Sequence, residues 1–397
     1  MATEWKKVRL EDVCEYVTSG GTPLASRDDY YAPGVIPWLK TKEVNYSRIY
    51  ETENYISQKG LDNSSAKLIP ANSVIMAMYG QGDTAGRVAI NKIPVTTNQA
   101  CCNLIIDKNK ADYNFIYYKL STMYDEIVAL KSGGAQPNLN AGKVKGLEIN
   151  LPPLQTQQKI ASILSAYDDL IENNHRQIKL LEEAAQKLYK EWFVKLNFPG
   201  HENVKIVDGV PEGWKKVTVE DLADYLNGFA FKPSDWKKEG YPIIKIKEMG
   251  HGITFDTPRN SGEKVPEKYI VKKGDIIFSW SATLDVVIWD GETGLLNQHL
   301  FKVTPREWCC REFVFQTIKY SLVAFSNVTT GATMKHIQRN KLSQIELYAP
   351  NDTIMQFYEN ITNPMREKIL VLANQIQLLQ SARDKLLPRL MNGDFEV

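Results

Sequence analysis

A repeat constrains this chain more than any other feature, because two copies of one sequence must fold into two copies of one unit. Residues 5–20 read WKKVRLEDVCEYVTSG and residues 214–228 read WKKVTVEDLADYLNG, an offset of 209. Further on, IPWLKTKEV faces YPIIKIKEM, pairing Pro37, Lys40, Lys42 and Glu43 with Pro242, Lys245, Lys247 and Glu248 at an offset of 205. TTNQACCNLI then faces LLNQHLFKVT, setting Asn98 and Gln99 against Asn297 and Gln298 at 199. From Lys143 the offset holds at 198, where Lys143/Lys341, Glu148/Glu346, Pro152/Pro350, Ile171/Ile369 and Leu188/Leu386 are identities. A drifting offset followed by a locked one describes a globular part whose loops vary, then a part of fixed length.

The fixed-length part carries a three-four period. Leu164, Tyr167, Ile171, Asn174, Ile178, Leu181, Ala185, Leu188 and Trp192 follow it in the first copy. Met365, Ile369, Leu372, Ile376, Leu379, Arg383, Leu386 and Leu390 follow it in the second. That period is the seam of a coiled coil, and Asn174 and Arg383 are polar exceptions of the kind that fix register. A helix over Gln155–Phe193 would be about 58 Å long, longer than a domain of this size is wide. That length argues against the other reading, ordinary amphipathic helices lying on their own globules. In ITNPMREK, Asn363 reads as an N-cap and Pro364 as the first helical position.

The globular parts mix two patterns. SVIMAMYG, RVAINK, CCNLIID, GDIIFSW and VVIWDG are short strand-like runs, while NFIYYKLSTMYDEIVALK and CREFVFQTIKYSLVAF read as helices. Each globule is therefore α+β. No run approaches the roughly 18 apolar residues of a membrane span, and the N-terminus MATEWKKVRL lacks a signal-peptide core, so a cytoplasmic protein is expected. Five cysteines form no C-x-x-C and five histidines fall in no metal-binding spacing, so neither a disulfide framework nor a metal is expected. No phosphate loop or dinucleotide fingerprint is present, and YGQGDTAGR reads as a mobile surface loop. NLPPL lacks the polar residue and the aromatic of an adenine-methyltransferase motif and reads as a stop between globule and helix. No cofactor and no catalysis are expected.

The order of these parts, with the junction NLPPLQTQQKI, the second opening EGWKKVTVEDL and the C-terminal LLPRLMNGDF, resembles the specificity subunit of Type I restriction-modification systems over essentially the whole chain. The resemblance implies two target-recognition domains (residues 1–152 and 199–350) and two conserved helical spacers (153–198 and 351–397). It implies an α+β fold with two similar globules of mixed short strands and helices. Two long helices forming an antiparallel coiled coil would join them as a pseudo-two-fold repeat. The helix seam would be Ile171, Ile178, Leu181 and Leu188 against Ile369, Leu372, Ile376, Leu379 and Leu386. It further implies a subunit without an active site, whose partners are double-stranded DNA, two methylation subunits and, through the complex, restriction subunits. The second junction, APNDTIMQF, departs from the double proline and glutamines of the first.

Two similar readers on a rigid rod would address two half-sites of a duplex. Charge complicates this, because a protein binding DNA alone usually carries a basic excess. Residues 1–150 carry 17 basic and 16 acidic groups and residues 201–350 carry 20 and 19, so partners are expected to supply most of the phosphate clamp. Side chains able to address base edges and phosphates are Thr22, Lys40, Lys42, Tyr79, Gln81, Thr84, Arg87, Asn98, Gln99, Gln136, Asn138 and Lys143 in the first globule. In the second they are Lys232, Lys245, Lys247, Ser279, Trp280, Ser281, Thr283, Asn297, Gln298, His299, Lys335, His336 and Arg339. Residues shared by both copies fit scaffold or backbone contact. MYGQGDTAGR against SWSATLDVV, which differ, are the better candidates for base reading. A tandem coiled-coil adaptor that joins protein partners without nucleic acid is the alternative.

Overall fold

The structure is a computed structural model that describes residues 5–132, 138–281, 283–327 and 339–395. It divides into two compact units, residues 1–170 with 379–397 and residues 171–378. Each unit holds one globule together with part of both long helices, so the cut falls within the helices and not at their junctions with the globules.

The first unit opens with strand Lys6–Arg9 antiparallel to Glu148–Leu151, pairing Lys6 with Leu151. A five-stranded sheet follows in the order Cys14–Ser19, Cys101–Ile106, Val74–Ala77, Val88–Asn91, Arg48–Ile49. Val74–Ala77 is buried at every position. One face packs on a core with Phe115, Leu120 and Ile127, and the other on a second core with Leu39, Val95 and Ile105. Burial on both faces explains why these strands read as continuous apolar runs and not as alternation. A smaller sheet sets Ile36–Leu39 parallel to Thr96–Thr97 and antiparallel to Tyr55–Ile56.

The second unit repeats this plan residue for residue where it matters. Lys215 pairs with Ala349, the counterparts of Lys6 and Leu151 at offsets of 209 and 198. Cys14 faces Ile106 and Ala223 faces Pro305; Trp38 faces Thr96 and Ile243 faces Leu295. The drifting offsets thus correspond to equal registers on a common scaffold. The large sheet differs at its edge: the four-stranded sheet Ala223–Asn227, Leu300–Pro305, Ile276–Ser279, Asp285–Ile288 has no counterpart of Arg48–Ile49 among the described residues.

The first long helix spans Leu154–Tyr189 and continues as a π-helical turn, Lys190–Val194; the second spans Asp352–Met391. At the first junction Pro153 removes one donor, and its carbonyl accepts from Thr156 and Gln157 at 2.9 and 3.0 Å. At the second junction Asn351 Oδ1 accepts from the Ile354 amide at 3.0 Å, a side-chain cap in place of the prolines. The expected start at Asn363–Pro364 is therefore corrected: the second helix begins eleven residues earlier and runs through Pro364. An interior proline costs about 3 kcal/mol. Burial of Tyr358, Ile369, Leu370 and Leu372 on the same helix offsets it.

In the first unit Ile160, Ala161, Leu164, Leu390 and Met391 pack on the globule, so the start of one helix lies with the end of the other. In the second unit Tyr189, Trp192, Ile354, Met355, Tyr358 and Leu370 do the same with the opposite ends. The pair is antiparallel. Ile171, Ile369, Leu372 and Ile376 are buried on the seam, while Ile178, Leu181, Leu188, Leu379 and Leu386 are half-buried. Both polar exceptions find cross-helix partners: Asn174 Nδ2 donates to Gln375 Oε1 at 3.3 Å, and Arg383 Nη1 to Asp168 Oδ1 at 2.6 Å.

Candidate nucleic-acid interface

In the first unit, the chain leaves strand Cys14–Ser19 through Gly20, which runs against Thr97 and Asn98, and Gly21, which runs against Ser65 and Ala66, so closely that no side chain fits at either glycine. Thr22 emerges exposed and donates to Gln99, also exposed. Trp38 Nε1 donates to Gly21 O at 3.1 Å, and Lys40 Nζ sits 4.8 Å over the Trp38 ring while donating to Asn54 Oδ1 at 3.0 Å. Thr22, Lys40 and Gln99 are thus brought together around one tryptophan. Lys42 pairs with Glu53 at the edge of this group.

The loop after Val74–Ala77 is tied at several points. Thr84 Oγ1 donates to Gln81 O at 2.7 Å, Tyr124 Oη to Asp83 O at 2.8 Å, and Arg87 to Asp83 and to Asn45 Oδ1 at 2.5 and 2.7 Å. Gln81 is left exposed at its tip, and Tyr79 is half-buried against the core, where burial raises its phenol pKa. Asn138 is exposed, next to Leu139, whose amide donates to Met78 O at 3.0 Å. Lys143 Nζ is spent on Leu130 O and Ser132 Oγ. Gln136 lies outside the described residues.

The second unit keeps the scaffold and changes its surface. Asn297 donates its amide to Ile244 O at 3.0 Å just as Asn98 does to Leu39 O at 2.9 Å, and Asn297 is buried. The shared asparagines therefore sit in the scaffold, whereas Gln99 and Gln298 are exposed. Glu43 and Glu248, also shared, accept from the backbone amides of Lys40 and Lys245 at 3.0 and 3.2 Å and cap the short helical turns that follow. Lys245 Nζ lies 5.4 Å over Trp236, a different tryptophan from that under Lys40. Lys247 pairs with Asp256 at 2.6 Å, and Lys232 is exposed. Trp280, Gln298 and His299 come together: the Trp280 and His299 rings are 6.0 Å apart, and Gln298 Nε2 is 3.4 Å from His299 Nε2.

Ser279 and Ser281 are buried, with Ser279 Oγ donating to Ser281 O at 3.1 Å, and Thr283 is exposed beyond them. Lys335 and His336 lie outside the described residues, as does the side chain of Arg339. Sequence reasoning missed Trp38, Trp236 and Phe255. The Phe255 side chain stands fully in solvent at the apex of a turn closed by Thr254 and Thr257, whose hydroxyl accepts from the Thr254 amide at 3.0 Å. A signal was available at Trp38, an aromatic that faces Ile243 in the other copy.

The family model described as the Type I restriction modification DNA specificity domain matches residues 2–183 and 211–365, most of the chain and both copies of the repeat. The chain belongs to this family. It is 27% identical over 422 residues to the Type I restriction enzyme MjaIX specificity subunit of Methanocaldococcus jannaschii, covering 99% of this chain and 94% of that protein. It is 24% identical to the HindI specificity subunit of Haemophilus influenzae, covering 99% and 100%. A solved Type I restriction-modification S subunit from M. genitalium shares the fold, with a TM-score of 0.62 at 16% identity over 98% of this chain and 96% of that one. Membership favours a specificity subunit over the tandem adaptor. Among the described residues no cluster of histidine, cysteine or acidic side chains could hold a metal, and no helix is long and apolar enough to cross a membrane.

Proposed function

We propose that this chain is the DNA-reading, non-catalytic subunit of a cytoplasmic Type I restriction-modification complex. Each globule reads one half of a bipartite, asymmetric site. The long helices set the spacing between halves and dock two methylation subunits, through which restriction subunits join. The observation that carries this reading is the equal register of the two globules around different exposed surfaces: Thr22 and Gln81 in one, Thr283 and His299 in the other. A common scaffold with unlike surfaces is what two different half-sites require. The cut between reader and spacer falls at residues 152 and 350. The test is methylation-site sequencing in cells carrying the chain and its methylation subunit, with the first globule exchanged for that of another specificity subunit. One half of the target should change and the other persist; a change in both halves overturns the assignment of one half to each globule. Partner-free protein should neither cleave nor methylate DNA.

A further inference from the structure

Where each globule meets the long helices, the two units bury a charge of opposite sign at the same place in the repeat. In the first unit Asp168, on the first helix, accepts from Tyr118 Oη at 2.5 Å and from Arg383 Nη1 at 2.6 Å. Arg48, whose side chain is 6% exposed, completes the group with Nη2 at 4.0 Å from Asp168, pairing also with Asp169. In the second unit the position 198 residues on is Arg366, whose side chain is 4% exposed. Its Nε and Nη2 donate to Glu312 Oε2 and Oε1, each at 3.0 Å, and its guanidinium lies 5.0 Å over Phe315. Gln316, the counterpart of Tyr118, donates to Glu312 at 2.8 Å. Arg383 of the first group corresponds to Ala185, which is buried.

We infer that these groups form a positional key: an acid on the helix with phenol and cations around it at the first position, a cation on the helix with an acid on the globule at the second. Either globule carried to the other position would bury like charges or leave an ion without its partner, which is costlier than losing a packed pair altogether. Arg48 reinforces the distinction, since its strand is the one the second unit lacks among the described residues. The key stands on this geometry. Its consequence, that the order of the two half-sites in the target is fixed by pairing inside the chain, rests on the function proposed above.

The test uses full-length chains in which the second globule, residues 215–349, replaces residues 6–151. In that chain Glu312 faces Asp168. A companion carries Asp168→Arg and Arg383→Ala, recreating the combination of Arg366 and Ala185. Thermal melting should be higher in the companion by on the order of 10 °C. The transplanted helix Arg311–Asn327 should be protected from hydrogen exchange only there. The same two substitutions in the native chain should lower melting by a similar amount. Opposite signs in the two backgrounds are what a key predicts and a merely structural role does not. The inference is overturned if both transplants behave alike, whether seated or unfolded, or if the substitutions harm both backgrounds. Methylation mapping is read separately, so a failure of DNA reading does not count against the key.

Discussion

Gly228→Ala tests whether the shared residues of the repeat are scaffold. A Cβ at Gly228 would fall well inside contact with the Asn297 carbonyl and 2.7 Å from Leu296 O. Carbon requires about 3.5 Å, so the backbone must retreat by at least roughly 0.8 Å from Leu296 O alone, and further from the Asn297 carbonyl. The Gly228 amide bonds Leu300 O at 3.0 Å and the Phe229 amide bonds Leu296 O at 2.8 Å; both would lengthen past hydrogen-bonding distance. Two such bonds contribute about 1 kcal/mol each and overpacking costs about 1–3 kcal/mol, giving about 3–5 kcal/mol in all. For a unit of this size that lowers the melting temperature by about 10 °C. Gly20→Ala should match it, because Gly20 and Gly21 bond Cys101 O and Thr97 O at the equivalent positions, 3.2 and 2.8 Å away. Gly250→Ala is the control: nothing lies near its Cβ within helix Ile246–His251, so it should be neutral or stabilising by up to about 1 kcal/mol. Calorimetry decides. Melting within a degree or two of the native protein at both Gly20→Ala and Gly228→Ala would refute the close-approach argument.

Leu372→Asp places a charge at a seam position only 1% exposed and should cost several kcal/mol by denaturant titration. Leu181→Asp and Leu379→Asp, which are half-buried, should cost less. Burial pushes the Cys14, Cys102 and Cys310 thiols from 9.0 up to about 12, so maleimide labelling at pH 7 should require unfolding. Because the folded pKa is the raised one, their contribution is fully present below pH 9 and is lost as pH rises from 9 towards 12, which alkaline melts will register. Phe255→Ala, Gln81→Ala and Thr283→Ala should leave melting unchanged while weakening binding or relaxing the methylated sequence, as read by methylation-site sequencing.

The repeat and the helix seam were legible because both are periodic, and periodicity survives in sequence. Given the register of Cys14 with Ile106, that of Ala223 with Pro305 follows from the offsets. The start of the second helix was misread because Asn363–Pro364 has cap chemistry, but packing around Tyr358 and Leu372 overrides local propensity. The junction glutamine Gln157 carries more than its motif suggested: it is 1% exposed, accepts from the Asp112 amide at 3.0 Å and donates to Pro152 O at 2.8 Å, tying helix to globule. Its counterpart is the buried Met355, which is why the second junction can dispense with glutamine. Long-range partners such as Arg48 with Asp168, or Glu312 with Arg366, leave no local pattern. The sole trace is a change of charge sign between aligned positions.

The near-neutral charge of each globule has a structural counterpart that bears on DNA binding. Lys42 is held by Glu53, Lys247 by Asp256, and Arg87 by Asp83. A cation already paired gains only the difference between carboxylate and phosphate, and it turns the displaced carboxylate towards the duplex. The Asp256 carboxyl is held down to about 2, chiefly by its hydrogen bond from Lys247, so it stays charged at any physiological pH. Removing the competitor should therefore free the cation: Glu53→Gln with Asp256→Asn is expected to raise affinity for random-sequence duplex. The slope of log K against log salt should steepen by up to about 2, since each phosphate contact contributes about 0.9. Fluorescence anisotropy across a salt series, with the methylation subunit present and absent, measures both. An unchanged slope would mean that these lysines face away from the phosphates and that the pairs serve only to order their loops.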